Sequence, residues 1–207
     1  MKHEWKKNEK GIYIPKNKPE IVSIPSFKFF TIEGAGNPND KFFADYVTVL
    51  YSLSYAVKMS PKKGLAPQDY FEYTVYPLEG IWGITDEAKK EYKDKVNLND
   101  LVFKIMIRQP GFVTDSYANE TIERTKKKKP HPLLDKVKFE NIEEGKCVQM
   151  LHVGSYATEN VSFKLMEDYC KENNLVRSAK QHREIYLSDA RKVSPEKLKT
   201  VLRFKVK

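Results

Sequence analysis

The chain has little cysteine. Cys147 and Cys170 are the two thiols among 207 residues, too few for a disulfide framework and suited to small buried hydrophobes in a reducing compartment. No C-x-x-C occurs, and His3, His131, His152 and His182 form no pair at helical spacing, so the spacing carries no metal signature and no cofactor is expected. No apolar run approaches the roughly 20 residues that a membrane span needs. The charged start of the chain, through Trp5, Lys6 and Lys7, leads into no apolar segment of a secretion signal. These absences predict a cytoplasmic globular protein with no membrane partner. Reaction motifs are also missing. There is no G-x-S-x-G, and Gly34-Ala35-Gly36 lacks the third glycine and following helix of a dinucleotide loop. Ser60 to Lys63 and Ser194 to Lys197 match S-x-x-K without its S-D-N and K-T-G companions, and both read as helix punctuation. Classical nucleophilic hydrolysis and dinucleotide chemistry are therefore unsupported.

Positive charge is abundant. Lysine and arginine number 37 against 28 acidic residues, a net charge of +9. The densest patch, Lys126 to Lys129, runs into Pro130 and Pro132 without interleaved aromatics. It reads as a solvated helix end entering a linker, not as a groove that stacks bases, and no specific nucleic-acid partner is expected.

Hydrophobic patterning divides the chain into two similar halves. In the first, a strand over 24–32 ends at Gly34 to Pro38, and a helix follows over 42–59. Tyr46, Val49, Leu50, Leu53 and Val57 share its core stripe. Tyr51 and Tyr55 lie on its far side as a surface pair. Pro61 and Gly64 end the helix. Strands are then expected over 70–76 and 101–108, separated by the break from Pro77 to Trp82 and a charged helical insert over 85–95. A helix over 114–127 leads to the second half. That half has a strand over 147–153, a helix over 160–172 and a strand over 181–187. Ser194 and Pro195 begin a helical turn, and a last strand covers 198–206. Each half is strand, helix, strand, strand. The chain is expected to be one monomeric domain over 1–207, with half-repeats 21–112 and 137–207 and a connection over 113–136. In such a duplication, the sheet faces left free by the helices enclose a cleft suited to a small ligand.

Aromatic residues make up 12% of the chain. They concentrate at Tyr70, Phe71, Tyr73, Tyr76, Trp82 and Phe112, a set suited to a flat or cationic ligand. In the strand over 181–187, alternation gives Ile185 and Leu187 to the helix-covered face and turns His182, Glu184 and Tyr186 the other way, toward the cleft. A carboxylate among aromatics can bind a cation or activate a water.

These residues resemble the stand-alone GyrI-like small-molecule-binding proteins, relatives of the effector-binding domains of multidrug-responsive activators. The resemblance rests on Tyr70 with Pro77-Leu78-Glu79-Gly80-x-Trp82, on Ile105 to Pro110 with Phe112, on His182 to Asp189, and on Ser194 to Thr200. It runs from about residue 21 to the end of the chain. Gly83 departs from the pattern, where a bulky residue is expected beside Trp82. The resemblance implies an α+β fold of tandem strand-helix-strand-strand modules around a central ligand cleft. It also implies hydrolysis of cyclopropanoid DNA alkylators, as in one stand-alone subfamily. Carried onto this chain, it makes Glu184 and Tyr186 the catalytic pair, with Tyr76, Trp82, Met106, Phe112 and His182 contacting an aromatic small molecule. The alternative is passive drug binding without turnover. A sensing subunit for a DNA-binding partner has little support.

Overall fold

In a computed structural model, which describes residues 2–91 and 96–207, the chain has an α+β fold made of two compact units. Unit 1 comprises residues up to His3, Phe27–Leu78 and Trp82–Ile142; unit 2 comprises Glu4–Ser26, Glu79–Ile81 and Glu143–Lys207.

Unit 1 contains β2 (Phe27–Ala35), α3 (Lys41–Lys58), part of β3 (Leu78–Ile84), α4 (Asp86–Glu91), β4 (Leu101–Gln109), α5 (Asp115–Lys128) and β5 (Lys138–Ile142). Its strands run in the order β3-β4-β2-β5. The α3 stripe is buried at Val49, Leu50, Leu53 and Val57, as its 3.6-residue periodicity requires. Tyr51 and Tyr55 stack on its other side, with ring centroids 6.3 Å apart and Tyr55 exposed. Under α3, Phe30, Ile32 and Gly34 of β2 lie opposite Ile107, Ile105 and Phe103 of β4. Gly34 is required by close approach: a Cβ there would stand 2.5 Å from Phe103 Cζ and 2.9 Å from Tyr46 Cε1. Gly64, at φ +67°, closes the turn after α3 in the left-handed conformation that glycine favours. Thr114 caps α5 by accepting from the Tyr117 amide, and Lys126 to Lys128 fill its last turn, where cations suit the helix dipole.

Unit 2 contains α1 (Trp5–Asn8), α2 (Lys10–Tyr13), β1 (Glu20–Ile24), residues 79–81 of β3, β6 (Gly145–Val153), α6 (Glu159–Glu172), β7 (His182–Tyr186) and β8 (Lys199–Lys205). Its order is β1-β6-β8-β7-β3. The pairs β1/β6, β6/β8 and β7/β8 are antiparallel. One face packs Val148, Met150, Leu202 and Phe204 against Met166 and Cys170 of α6. The other face carries a buried ionic network. Arg183 Nη1 donates to Glu79 Oε2 at 2.6 Å, and Arg203 Nη1 to Glu144 Oε2 at 2.9 Å. Arg203 also donates to Gln149 Oε1 and to the Ile12 carbonyl, while Gln149 Nε2 donates to the Gly11 carbonyl at 2.7 Å. Burial works against the Arg183 charge, but the Glu144 and Glu79 carboxylates outweigh it and hold the guanidinium above its usual range.

The strand-helix-strand-strand order occurs twice, as β2-α3-β3-β4 and β6-α6-β7-β8. Three local expectations need correction. The strand over 24–32 is two strands broken at Pro25 and Ser26. Residues 70–76 form no strand beyond one bridge, Tyr73 to His3, and β3 occupies the stretch read as a break. The strand β5 carried no recognised signal. Of the insert over 85–95, α4 accounts for 86–91, and residues 92–95 lie outside the described residues.

Candidate functional site

The sharpest cluster in unit 2 forms where β7 meets the start of α6. Leu202 pairs with Glu184, and Thr200 with Tyr186. Directly opposed residues share a face, so Glu184 and Tyr186 lie on the side that carries Leu202 and α6. His182 alternates with them. The expectation that Ile185 and Leu187 take the helix-covered face is thereby reversed, because the opposite face is taken by Arg183, Arg203 and their carboxylate and amide partners. His182, Glu184 and Tyr186 do share one face and touch. His182 Nε2 lies 2.9 Å from Glu184 Oε1, and the Tyr186 hydroxyl donates to Glu184 Oε2 at 2.9 Å. Glu184 is only 9% exposed.

The turn before α6 supplies the rest. His152 Nδ1 pairs with Ser162 Oγ at 2.9 Å, and its Nε2 lies 3.1 Å from the Ser155 carbonyl, which also accepts from Thr158 Oγ1 at 2.7 Å. Gly154, at φ +144°, lets the chain bend there. These contacts fix Tyr156 and Glu159, two residues that the sequence reading missed. Glu159 falls three and seven residues before Ser162 and Met166, the buried stripe of α6. An acid in register with a core stripe was the available signal, concealed because the helix was expected to start one residue later. The Tyr156 ring stands edge-on to Tyr186, with centroids 6.0 Å apart, and Phe163 packs edge-on against His182 at 4.6 Å.

The electrostatics are unusual for so small a cluster. Glu159 is 8% exposed, and its Oε1 is buried without a hydrogen-bond partner among the described residues. Burial, then the Glu184 charge, pushes its carboxyl up to about 9. Burial and the charges of Glu184, Glu159 and Asp189 push the Tyr156 phenol up to about 12. One ligand atom from each of Glu159, His182 and Glu184 lies within 4.8 Å of the other two. Nitrogen and oxygen donors therefore converge from two elements, an arrangement able to hold a water, a polar ligand group or a cation.

The remaining expected site residues lie in unit 1, in separate surroundings. Trp82 packs beside Phe43 and Phe103, with centroids at 5.9 and 5.5 Å. Met106 is buried on the face turned from α3, opposite Thr31. Phe112 lies 5.2 Å from Tyr70 and 5.9 Å from Tyr73. Tyr76 lies 6.5 Å from Tyr73, 3.4 Å from His3 Nε2 by its hydroxyl, and 4.5 Å beneath the Arg108 guanidinium. Tyr76 and Phe112 thus share Tyr73 as a neighbour, whereas Trp82 belongs to the cluster under α3.

Comparison with known proteins adds three findings. A family model for the GyrI-like small molecule binding domain matches residues 17–207. Two crystal structures, each described as a hydrolase from Listeria innocua, are 34% identical to this chain, with TM-scores of 0.87 and 0.90. They cover 99% and 100% of this chain and 100% of their own. The EcmrR C-terminal domain, 11% identical with a TM-score of 0.52, covers 92% of this chain and 97% of its own, a likeness of fold alone. No curated protein matches in sequence. Among the described residues, no helix is long and apolar enough to cross a membrane.

Proposed function

The chain belongs to the GyrI-like small-molecule-binding family, and from that premise we propose that its unit 2 site hydrolyses planar cyclopropane-bearing DNA alkylators in the cytoplasm. The observation that carries this reading is the buried Glu184 carboxylate, fixed by His182 and Tyr186 beside Glu159, whose Oε1 has no hydrogen-bond partner among the described residues. The neighbours described as hydrolases support it at the level of reaction class.

The chemistry asks little of the protein. Water attacks a carbon of a strained cyclopropane conjugated to a dienone. The new C–O bond forms as a ring C–C bond breaks, and the released electron pair moves through the ring system to the dienone oxygen, leaving a phenolate. Glu184 takes the proton from water as general base. Tyr186 is committed to Glu184 Oε2, which makes it a positioning residue. Tyr156, whose phenol keeps its proton far above neutral pH, donates to the developing oxyanion, which is then protonated from solvent. The rings of Tyr156, Tyr186 and Phe163 offer apolar surface to a flat ligand.

A second reading is sequestration of aromatic or cationic drugs without turnover. It is favoured by the prior engagement of both Glu184 oxygens, by His182 and by Tyr186. Incubation with a cyclopropanoid alkylator, with parent and water-adduct masses followed over time, separates the two. Hydrolysis predicts many turnovers in wild type and a rate at least about a hundredfold lower in Glu184→Gln. Saturable binding without a water adduct would leave sequestration, and an unchanged rate in Glu184→Gln would remove Glu184 from the chemistry.

A further inference from the structure

We propose that Glu159, His182 and Glu184 form a binding site for a divalent transition-metal ion of the zinc or manganese kind. The proposal does not depend on the hydrolytic reading, since an ion can occupy these ligands whether or not any substrate is turned over.

One nitrogen and one oxygen donor already stand side by side. Bonds of about 2.1 Å from an imidazole nitrogen and a carboxylate oxygen, meeting at a tetrahedral angle, bring the two ligand atoms about 3.4 Å apart, so an ion would part this pair by about half an ångström. His182 Nε2 and Glu184 Oε1 are 2.9 Å apart. The third ligand comes from another element, the first turn of α6, and its donor atom lies within 4.8 Å of the other two.

An independent observation points to a ligand here. Glu159 is more than nine-tenths buried, and its Oε1 meets no hydrogen-bond donor among the described residues. Leaving a buried carboxyl without a partner is costly. Among the described residues, neither Glu159 nor Glu184 is paired with a lysine or arginine, and the imidazole of His182 is the only basic group in contact. A cation between the carboxylates would supply both the missing partner and the missing charge.

The donor set also selects the ion. One imidazole and two carboxylates suit zinc or manganese, whereas magnesium and calcium prefer all-oxygen shells and monovalent copper prefers sulfur. Supporting contacts are in place, because the Tyr186 hydroxyl holds the second Glu184 oxygen and Phe163 packs on the edge of the His182 ring. Outer contacts of this kind orient metal ligands and tune their affinity.

The test uses untagged full-length protein, stripped with a chelator and dialysed against Zn2+ at about ten micromolar, with bound metal counted by mass spectrometry and melting followed in parallel. The proposal predicts close to one zinc per chain and a melting temperature raised by a few degrees. Both effects should vanish in Glu159→Gln and His182→Gln and persist in His131→Ala, which removes a histidine outside the cluster. Circular dichroism establishes that the variants fold. As a readout that needs no folded variant, zinc should shift the imidazole nitrogen resonances of one histidine in the wild-type protein. Wild type that retains no zinc, zinc retained undiminished in Glu159→Gln, or imidazole resonances that do not move would each overturn the site.

Discussion

At the scale of single residues, Tyr156 and Tyr186 show how placement divides the work of two similar side chains. Tyr186 is on β7 and donates inward to Glu184. Tyr156, in the turn before α6, is 41% exposed, yet partial burial and then nearby carboxylates keep its phenol neutral up to about 12. A phenol that the fold prefers neutral contributes stability in full below its unfolded value near 10. That contribution is lost as pH rises through about 12. Burial also holds the Tyr70 and Tyr73 phenols up, so ultraviolet titration of the folded protein should show one late-titrating phenol fewer in Tyr156→Phe; an unchanged number would show that Tyr156 ionises normally. Sequence alternation correctly grouped His182, Glu184 and Tyr186, because the two-residue period of a strand is local. It put them on the wrong side, because the side depends on the partner strand and on what covers the opposite surface. Here the Arg183 and Arg203 network occupies that surface, and the helix-covered side was left for the acid.

At the scale of elements, the helices and most strands were legible because their periodicity is strong. The α3 stripe and the β4 run needed no tertiary information. The segment over 70–76 was misread because aromatic residues raise strand propensity wherever they occur, whereas here the rings serve packing. Tyr70 donates to the Lys58 carbonyl at 2.9 Å, and Tyr73 is buried among Tyr70, Phe71 and Phe112. Pro77 and Gly80 disguised β3 as a break, although Glu79 is held by Arg183 and Trp82 packs on Phe103. Glycine was read as punctuation in both places, but Gly34 is a packing residue. Gly34→Ala should cost about 1 to 3 kcal/mol, since its methyl would strike the Phe103 and Tyr46 rings inside a packed layer. Gly111→Ala meets nothing within 4 Å and should change stability by less than about 0.5 kcal/mol. Urea midpoints of the two variants measure the contrast, and equal midpoints would mean that Phe103 moves aside without cost.

At the scale of the whole chain, the duplicated order of elements was readable, but the first residues were not. Two helical turns of four residues each carry no periodic signal, and the family model itself begins at residue 17. The structure nevertheless builds residues 4–16 into unit 2. Trp5 and Tyr13 are buried against each other, with centroids 5.2 Å apart. The carbonyls of Gly11 and Ile12 accept from Gln149 and Arg203, and that of Lys16 accepts from the Leu151 amide. A chain starting at residue 17 loses both aromatic side chains, each worth about 2 kcal/mol in burial. It also strips partners from the buried Arg203 and Gln149, at about 1 to 3 kcal/mol for each orphaned group. The sum rivals the roughly 5 to 15 kcal/mol that holds an ordinary domain together. Truncation should therefore abolish cooperative unfolding in urea or lower its midpoint drastically. It should do so even though every residue of the Glu159, His182 and Glu184 cluster is retained. A truncated chain with the full-length midpoint would show instead that Arg203 and Gln149 find equivalent partners in water, and that the N-terminal segment covers unit 2 without stabilising it.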